Sequence, residues 1–346
     1  MAALSSVSIS CLHSQNRSES SLLLSKRLSF PQPFSINWSL QKPRFSISHC
    51  LKKSGELDER ERQQEHGGKG GEEEEEEEEE EYWVVTAVRS FYNEIVIVDS
   101  AKSRYLLLDS TKNVHSVINK GGQNWTKSYW DEFASLPAII PEGPIAIYGL
   151  GGGTAVRLML ELWPSLQLEG WEIDQILIEK ARAYLGLSEL EEPTPEGGRL
   201  HVRVEDALAP SQDAYGRYAG IIVDLFSDGK VLSQLQEVQT WQELGSRLMP
   251  NGRIMVNCAG IKAEEDTSNG KPQVVSGDSA WVLNSTIKTL SEAFPGQVCW
   301  KRTPDPQGLN FMAMTGGLPD QIAWSNEVPV RMSEAVKQWK LCQSFP

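Results

Sequence analysis

From Glu94 onward, polar and apolar positions fall into short alternating runs. Residues 95–98 and 105–108 are apolar and flank the polar stretch 100–104, which predicts a β-hairpin opening a small N-terminal sheet. The polar, glycine-containing stretch 119–124 leads into 125–136, predicted as a helix ending at Pro137; Pro141 and Pro144 mark the next boundary. After Pro144, periods of two and of three to four residues take turns. Short apolar runs predict strands at 145–148, 166–172, 200–204, 221–223 and 253–257. Helical spacing predicts 154–163, stopped by Pro164, and 174–185, ended by Gly186. Apolar side chains at 232, 235, 238, 241, 244 and 248 share one helical face, so 231–248 reads as a helix. Residues 262–278 read as a loop and 279–294 as a helix, followed by antiparallel edge strands around 298–300 and 311–314. Strands and helices alternating at this spacing predict an α/β fold, a parallel sheet covered on both faces. The domain reading is a small β-domain with its connecting helix over 82–140, a sheet domain over 141–330 and a helical tail over 331–346.

Composition changes the picture at the N-terminus. The chain has 346 residues, 40% hydrophobic, with a formal net charge of −14. Those values exclude a wholly disordered chain, a small disulfide-stapled module and an evident nucleic-acid binder. The charge is unevenly spread. Residues 1–55 hold fifteen serines, seven bases and one acid, the profile of a transit peptide, most like a plastid one, and place the protein in the chloroplast stroma. Residues 56–81 hold fifteen acids, ten of them consecutive, against three bases. Like charges repel and bury nothing there, so this reads as a disordered acidic linker. No apolar run of eighteen residues occurs, so no membrane partner is expected.

Cysteine and histidine usage narrows the chemistry. Cys258, Cys299 and Cys342 are widely spaced with no CxxC pair, which indicates neither a zinc site nor a disulfide framework; no metal is expected. His115 and His201 lie in no recognisable site motif and read as structural.

The strongest site signal is Gly149-Leu150-Gly151-Gly152-Gly153 between a strand and a helix. Glycines there let the backbone turn sharply and present bare amides to a ligand at a helix N-terminus. Gly149, Gly151 and Gly153 give GxGxG, whereas a dinucleotide fingerprint wants its third glycine where Thr154 stands. Three acids follow buried-type strands. Glu172 can accept from ribose hydroxyls, Asp206 from an adenine amino group, and Asp224 ends a strand at the sheet edge where ligands of open α/β sheets bind. Each read alone would serve as well as a helix cap.

Residues 94–258 resemble the spermidine synthase-like branch of the class I S-adenosylmethionine-dependent methyltransferase superfamily. The resemblance lies in Leu108-Asp109, Ser128-Tyr129-Trp130-Asp131 before Leu136-Pro137, the loop Gly151-Gly152-Gly153, Glu172-Ile173-Asp174 with Ala181-Arg182, Glu205-Asp206-Ala207, 221–224 and 248–252. It implies a small N-terminal β-domain over a seven-stranded Rossmann-like sheet. It also implies that Glu172 binds the ribose and Asp206 the adenine, that Tyr129 meets the substrate amine, and that Asp224 orients or deprotonates the nucleophile.

The chain departs from that family at two motifs. Aminopropyltransferases resemble GGGDGG at the loop, where this chain has Gly151-Gly152-Gly153-Thr154-Ala155-Val156, and Thr154 cannot supply the charge that pairs with the amine of decarboxylated S-adenosylmethionine. Their DSSDP-like motif is replaced by Asp224-Leu225-Phe226-Ser227-Asp228-Gly229, which moves the second acid, Asp228, by one place. A neutral loop favours intact S-adenosylmethionine, whose carboxylate an aspartate would repel; the decarboxylated donor is the alternative. Asp224 would then accept a proton, with Tyr129 and Asp228 on the acceptor side and Trp125 and Trp130 either lining a cation pocket or packing as core. The reading is a transferase passing a methyl group to a small-molecule acceptor, with a homodimer left open. The alternatives are a plastid aminopropyltransferase and a catalytically silent relative that binds a ligand or assembles; an NAD enzyme is disfavoured by GxGxG.

Overall fold

The computed structural model describes residues 81–109, 111, 113–209, 216–260, 280–305 and 308–343. Residues 1–55, expected as a transit peptide, the expected acidic linker up to its last residue and the whole of the 262–278 loop therefore lie outside the described residues.

Four antiparallel strands in chain order form the N-terminal sheet: β1 (Trp83–Arg89), β2 (Glu94–Asp99), β3 (Ser103–Leu107) and β4 (Ser116–Asn119). The predicted hairpin is β2–β3, paired from Val96↔Leu107 to Asp99↔Arg104. The two outer strands escaped prediction. β1 is an edge strand with no fully buried side chain, and β4 follows a polar stretch, so neither shows a clean apolar alternation.

The main sheet contains β5 (Ile145–Tyr148), β6 (Gln167–Glu172), β7 (Arg199–Val204), β8 (Tyr218–Val223), β11 (Leu248–Gly260), β12 (Val298–Asp305), β13 (Gly308–Thr315) and β14 (Lys340–Leu341). Its order is β14-β12-β13-β11-β8-β5-β6-β7, with β5 to β8 and β11 parallel and β13 inserted antiparallel between β11 and β12. The seven expected strands are present, and the two-residue β14 adds an eighth at the edge. A separate hairpin, β9 (Phe226–Ser227) and β10 (Lys230–Val231), hangs directly beyond β8. Strand β5 is buried at every position because both faces are covered: Ile145 and Ile147 enter one core, Ala146 and Tyr148 the other.

On the first face lie α1 (Tyr129–Phe133), α2 (Thr154–Leu162), α3 (Gln175–Tyr184), α4 (Leu187–Glu191), α7 (Gln321–Glu327) and α8 (Val330–Val336); α5 (Val238–Ser246) and α6 (Ser285–Ala293) cover the second. The N-terminal sheet adds Ile95, Ile97 and Leu106 to the first core.

Three predicted elements differ. The helix expected over 125–136 shrinks to α1, because Asp131 captures the Thr126 and Lys127 amides and Lys127 turns left-handed at φ 59°. Pro137 does not end it but sits in the first turn of a 3₁₀ helix, Leu136–Ile139, where a missing N–H costs nothing. The helix over 231–248 is broken at Glu237 into a 3₁₀ turn, Ser233–Gln236, and α5, yet Leu235, Trp241 and Leu244 enter one core. The segment expected as a helical tail returns to the body: β14 pairs with β12, and Met332, Val336 and Trp339 are buried. Among the described residues no helix is long and apolar enough to cross a membrane.

Candidate functional site

The glycine loop joins β5 to α2, and Gly149, Gly151 and Gly153 take positive φ values of 87°, 55° and 81°. Gly149 has a second reason to lack a side chain: a Cβ there would lie 2.2 Å from the Asp224 carbonyl oxygen. The loop amides are not bare, as the sequence suggested. Gly149 and Leu150 donate to the Trp171 carbonyl, Gly151 to Glu172, Gly152 to Ser116 Oγ at 2.7 Å and Gly153 to Leu150. Thr154 is buried, and its hydroxyl accepts from Val117 N at 2.9 Å and lies 3.2 Å from Val117 O. Strand β4 is thus clamped onto the loop, and buried amides find partners in it.

Glu172 ends β6. Its Oε2 accepts from Gly151 N at 3.2 Å and its Oε1 from Asp174 N at 3.1 Å, while burial raises its pKa against those bonds. Asp174 caps α3 through Ile176 and Leu177 and accepts from Asn93 Nδ2 at 2.8 Å, which fixes the β1–β2 turn beside the end of β6. Glu205 N donates to the Glu172 carbonyl, so the exposed Asp206 sits at the neighbouring strand end, in a turn closed by Leu208 N. Buried Arg247 holds this turn through the Ala207 and Ala209 carbonyls.

Asp224 follows β8. Tyr129 Oη donates to its Oδ2 at 3.1 Å and Asn257 Nδ2 to its Oδ1 at 2.9 Å, so Asp224 and Tyr129 are in direct contact. Burial pushes the Asp224 pKa up to about 6, against hydrogen bonds from Asn257, Tyr129 and Trp130. A small cavity of about 20 Å³, room for one or two waters, is lined by Asp224, Gly149, Trp130, His115, Ser116 and apolar side chains. His115 Nε2 stands 3.6 Å from Asp109, and burial holds the imidazole below its usual pKa against the pull of that carboxylate. His201 is exposed on β7.

Asp228, expected on the acceptor side, and Trp125, read as cation-pocket wall or core, have these surroundings. Asp228 is exposed at the tip of the β9–β10 hairpin, where Asp228 and Gly229 at φ 49° and 67° form a two-residue turn of the I′ kind. Turn chemistry alone accounts for an Asp-Gly pair there. The ring of Trp125 is covered by the Arg331 guanidinium at 4.8 Å, whereas Trp130 is buried against Asp224. The sequence reading missed Asn257, Asn310 and Arg247. Their signal was present as polar residues at or within apolar runs, which are retained in a core only when bonded. Among the described residues no group of three or more His, Cys, Asp or Glu is placed to hold a metal.

No family model matches the chain. A probable polyamine aminopropyl transferase of Bifidobacterium longum is 26% identical over 169 residues, 49% of this chain and 36% of the relative. A trans-aconitate 2-methyltransferase of Streptomyces avermitilis is 39% identical over 80 residues, 22% of this chain and 28% of the relative. The matches thus span about a third of these relatives' lengths. Among solved structures, a spermidine synthase in complex with the transition state analogue AdoDATO superimposes with a TM-score of 0.51 at 16% identity, over 75% of this chain and 81% of that one. A probable spermidine synthase from Corynebacterium glutamicum gives the same TM-score and identity over 75% of this chain and 96% of its own. The chain has a spermidine synthase-like fold, a mixed main sheet of largely parallel strands beside an N-terminal four-stranded antiparallel sheet.

Proposed function

We propose that this protein is an S-adenosylmethionine-dependent transferase that passes a methyl group to a small protic acceptor held at Asp224. The observation that carries the reading is a half-buried carboxylate beside a glycine loop that itself bears no acid. Asp224 stands with Tyr129 where β8 ends, and the residue after the third glycine is Thr154, neutral and locked to Val117. Such a loop offers no charge to the cationic amine of a decarboxylated donor and no repulsion to the carboxylate of an intact one.

Glu172 would hold the ribose, since its carboxylate is fixed at a strand end by two backbone amides, and Asp206 would meet the adenine from the adjacent strand end. Gly149, Gly151 and Gly153 give the loop its course beneath the nucleoside. When bound, the donor supplies a methyl group already activated by its sulfonium. The chain has to align the acceptor and keep its lone pair free. Asp224 accepts the acceptor's proton; a pKa of about 6 leaves it mostly ionised at neutral pH yet close enough to exchange a proton there. Tyr129 holds the other side of that carboxylate.

Aminopropyl transfer is the second reading, supported by the likeness to the probable polyamine aminopropyl transferase of Bifidobacterium longum and to the two spermidine synthase structures. Calorimetric titration of the full chain with S-adenosylmethionine and with its decarboxylated form separates the two. Tighter binding of the intact donor is expected. A clear preference for the decarboxylated one sinks methyl transfer in favour of aminopropyl transfer.

A further inference from the structure

Asp224 is surrounded by neutral donors, and two asparagines decide how one of them is aimed. Asn257 on β11 donates Nδ2–H to Asp224 Oδ1 at 2.9 Å. Its own Oδ1 accepts twice, from Asn310 Nδ2 on β13 at 2.9 Å and from the Ala259 amide at 3.2 Å. An amide whose oxygen is held by two donors cannot turn that oxygen toward a carboxylate, so its nitrogen faces Asp224. Ala259 reaches Asn257 by adopting a left-handed φ of 59°, a conformation an alanine holds only when its surroundings dictate it. Asn257 and Asn310 are 4% and 3% exposed, which removes bulk water as a competing partner.

The pairing Val256↔Val223 and the pairing Asn257↔Met312 set these residues on three neighbouring strands, so the bonds cross the sheet at its carboxyl edge. The other groups acting on the Asp224 carboxylate are Tyr129 and Trp130 from α1, and the titratable side chain sharing its cavity is His115.

We propose that Asn257 and Asn310 are positioning residues for Asp224, a two-amide relay that fixes the direction of its carboxylate and its readiness to take a proton. The proposal rests on the reading of Asp224 as the group that meets the acceptor. Asn310 makes no hydrogen bond to Asp224, so its influence passes through Asn257.

The relay is tested in the full chain carrying ¹³C-carboxyl-labelled aspartate, titrated by NMR, with the Asp224 resonance assigned by its loss in Asp224→Asn. Asn257→Leu removes a donor and is expected to raise the Asp224 midpoint by at least about 0.5 unit. Asn310→Leu should raise it by less, and the double variant should match Asn257→Leu alone, because the second amide acts only through the first. Asn257→Ser and Asn310→Ser carry the same comparison if the leucine variants do not fold. An unmoved midpoint in folded variants overturns the relay, as does an Asn310 effect that persists without Asn257. The catalytic reading fails separately: Asp224→Asn that leaves transfer intact would sink it without altering the midpoints.

Discussion

Replacing Asp224 by asparagine removes one half-buried titrating group and changes how stability depends on pH. Burial lifts this carboxyl from its ordinary 3.8 to about 6, more than its hydrogen bonds lower it. A rise of about 2 units at about 1.4 kcal/mol per unit corresponds to about 3 kcal/mol. The sign follows from proton occupancy. Between about pH 4 and pH 6 the folded chain keeps a proton here that the unfolded chain has released, so this group's contribution falls as pH rises. It is fully present below about pH 4 and lost above about pH 6. Asparagine cannot ionise, but its amide nitrogen would face one of the three donors now directed at the carboxylate, a mismatch of about 1 kcal/mol. Asp224→Asn is therefore expected to be about 1 kcal/mol less stable than the parent at pH 4 and about 2 kcal/mol more stable at pH 8. Urea denaturation followed by tryptophan fluorescence at stepped pH measures both proteins. Subtracting the curves cancels the titrating groups they share. A difference that stays flat, or that turns against the variant as pH rises, refutes a raised pKa at Asp224.

Two further substitutions test how the site is held. Gly149→Ala places a Cβ 2.2 Å from the Asp224 carbonyl at φ 87°, whereas Gly122→Ala, at φ 74° with nothing within 4 Å, adds backbone strain alone. Thermal denaturation should show the former costing at least about 2 kcal/mol more, and equal costs would deny the close approach of β5 and β8. Lys301, with 2% of its side chain exposed, donates to Glu132 Oε1 and to the Ala335 carbonyl, both at 2.8 Å. Lys301→Met should cost about 3–5 kcal/mol, and adding Glu132→Gln should recover part of it, because the loss comes from stranding a carboxylate. Strictly additive losses in a double-mutant cycle would refute that account.

What the sequence revealed about this site follows from how local each signal is. Glu172, Asp206 and Asp224 each end or follow an apolar run, and a parallel sheet brings such ends to one edge, so three acids could be placed from pattern alone. The engagement of the loop was not local. Gly152 and Ser116 are 36 residues apart, as Thr154 and Val117 nearly are, and β4 carried no alternation to announce it. Asp228 went the other way: the sequence reading set it on the acceptor side, and the fold shows an exposed Asp-Gly pair whose turn chemistry alone accounts for it.

The clamp also changes the physical meaning of Thr154. Read from sequence, its neutrality was a statement about the donor: no charge where an aminopropyltransferase keeps one. In the fold, its hydroxyl bridges the backbone of Val117, while Ser116 takes the amide of Gly152 and Asn93 bonds Asp174 beyond β6. An aspartate at position 154 would still accept from Val117 N, but it would set a carboxylate against the Val117 carbonyl, which the threonine hydroxyl can satisfy as a donor. The side chain that removes the loop's charge is thus the one that lets β4 lie across it. If Thr154 sets donor preference as proposed, that preference and the attachment of the N-terminal sheet are coupled through one residue, so a change made there to alter the first must disturb the second.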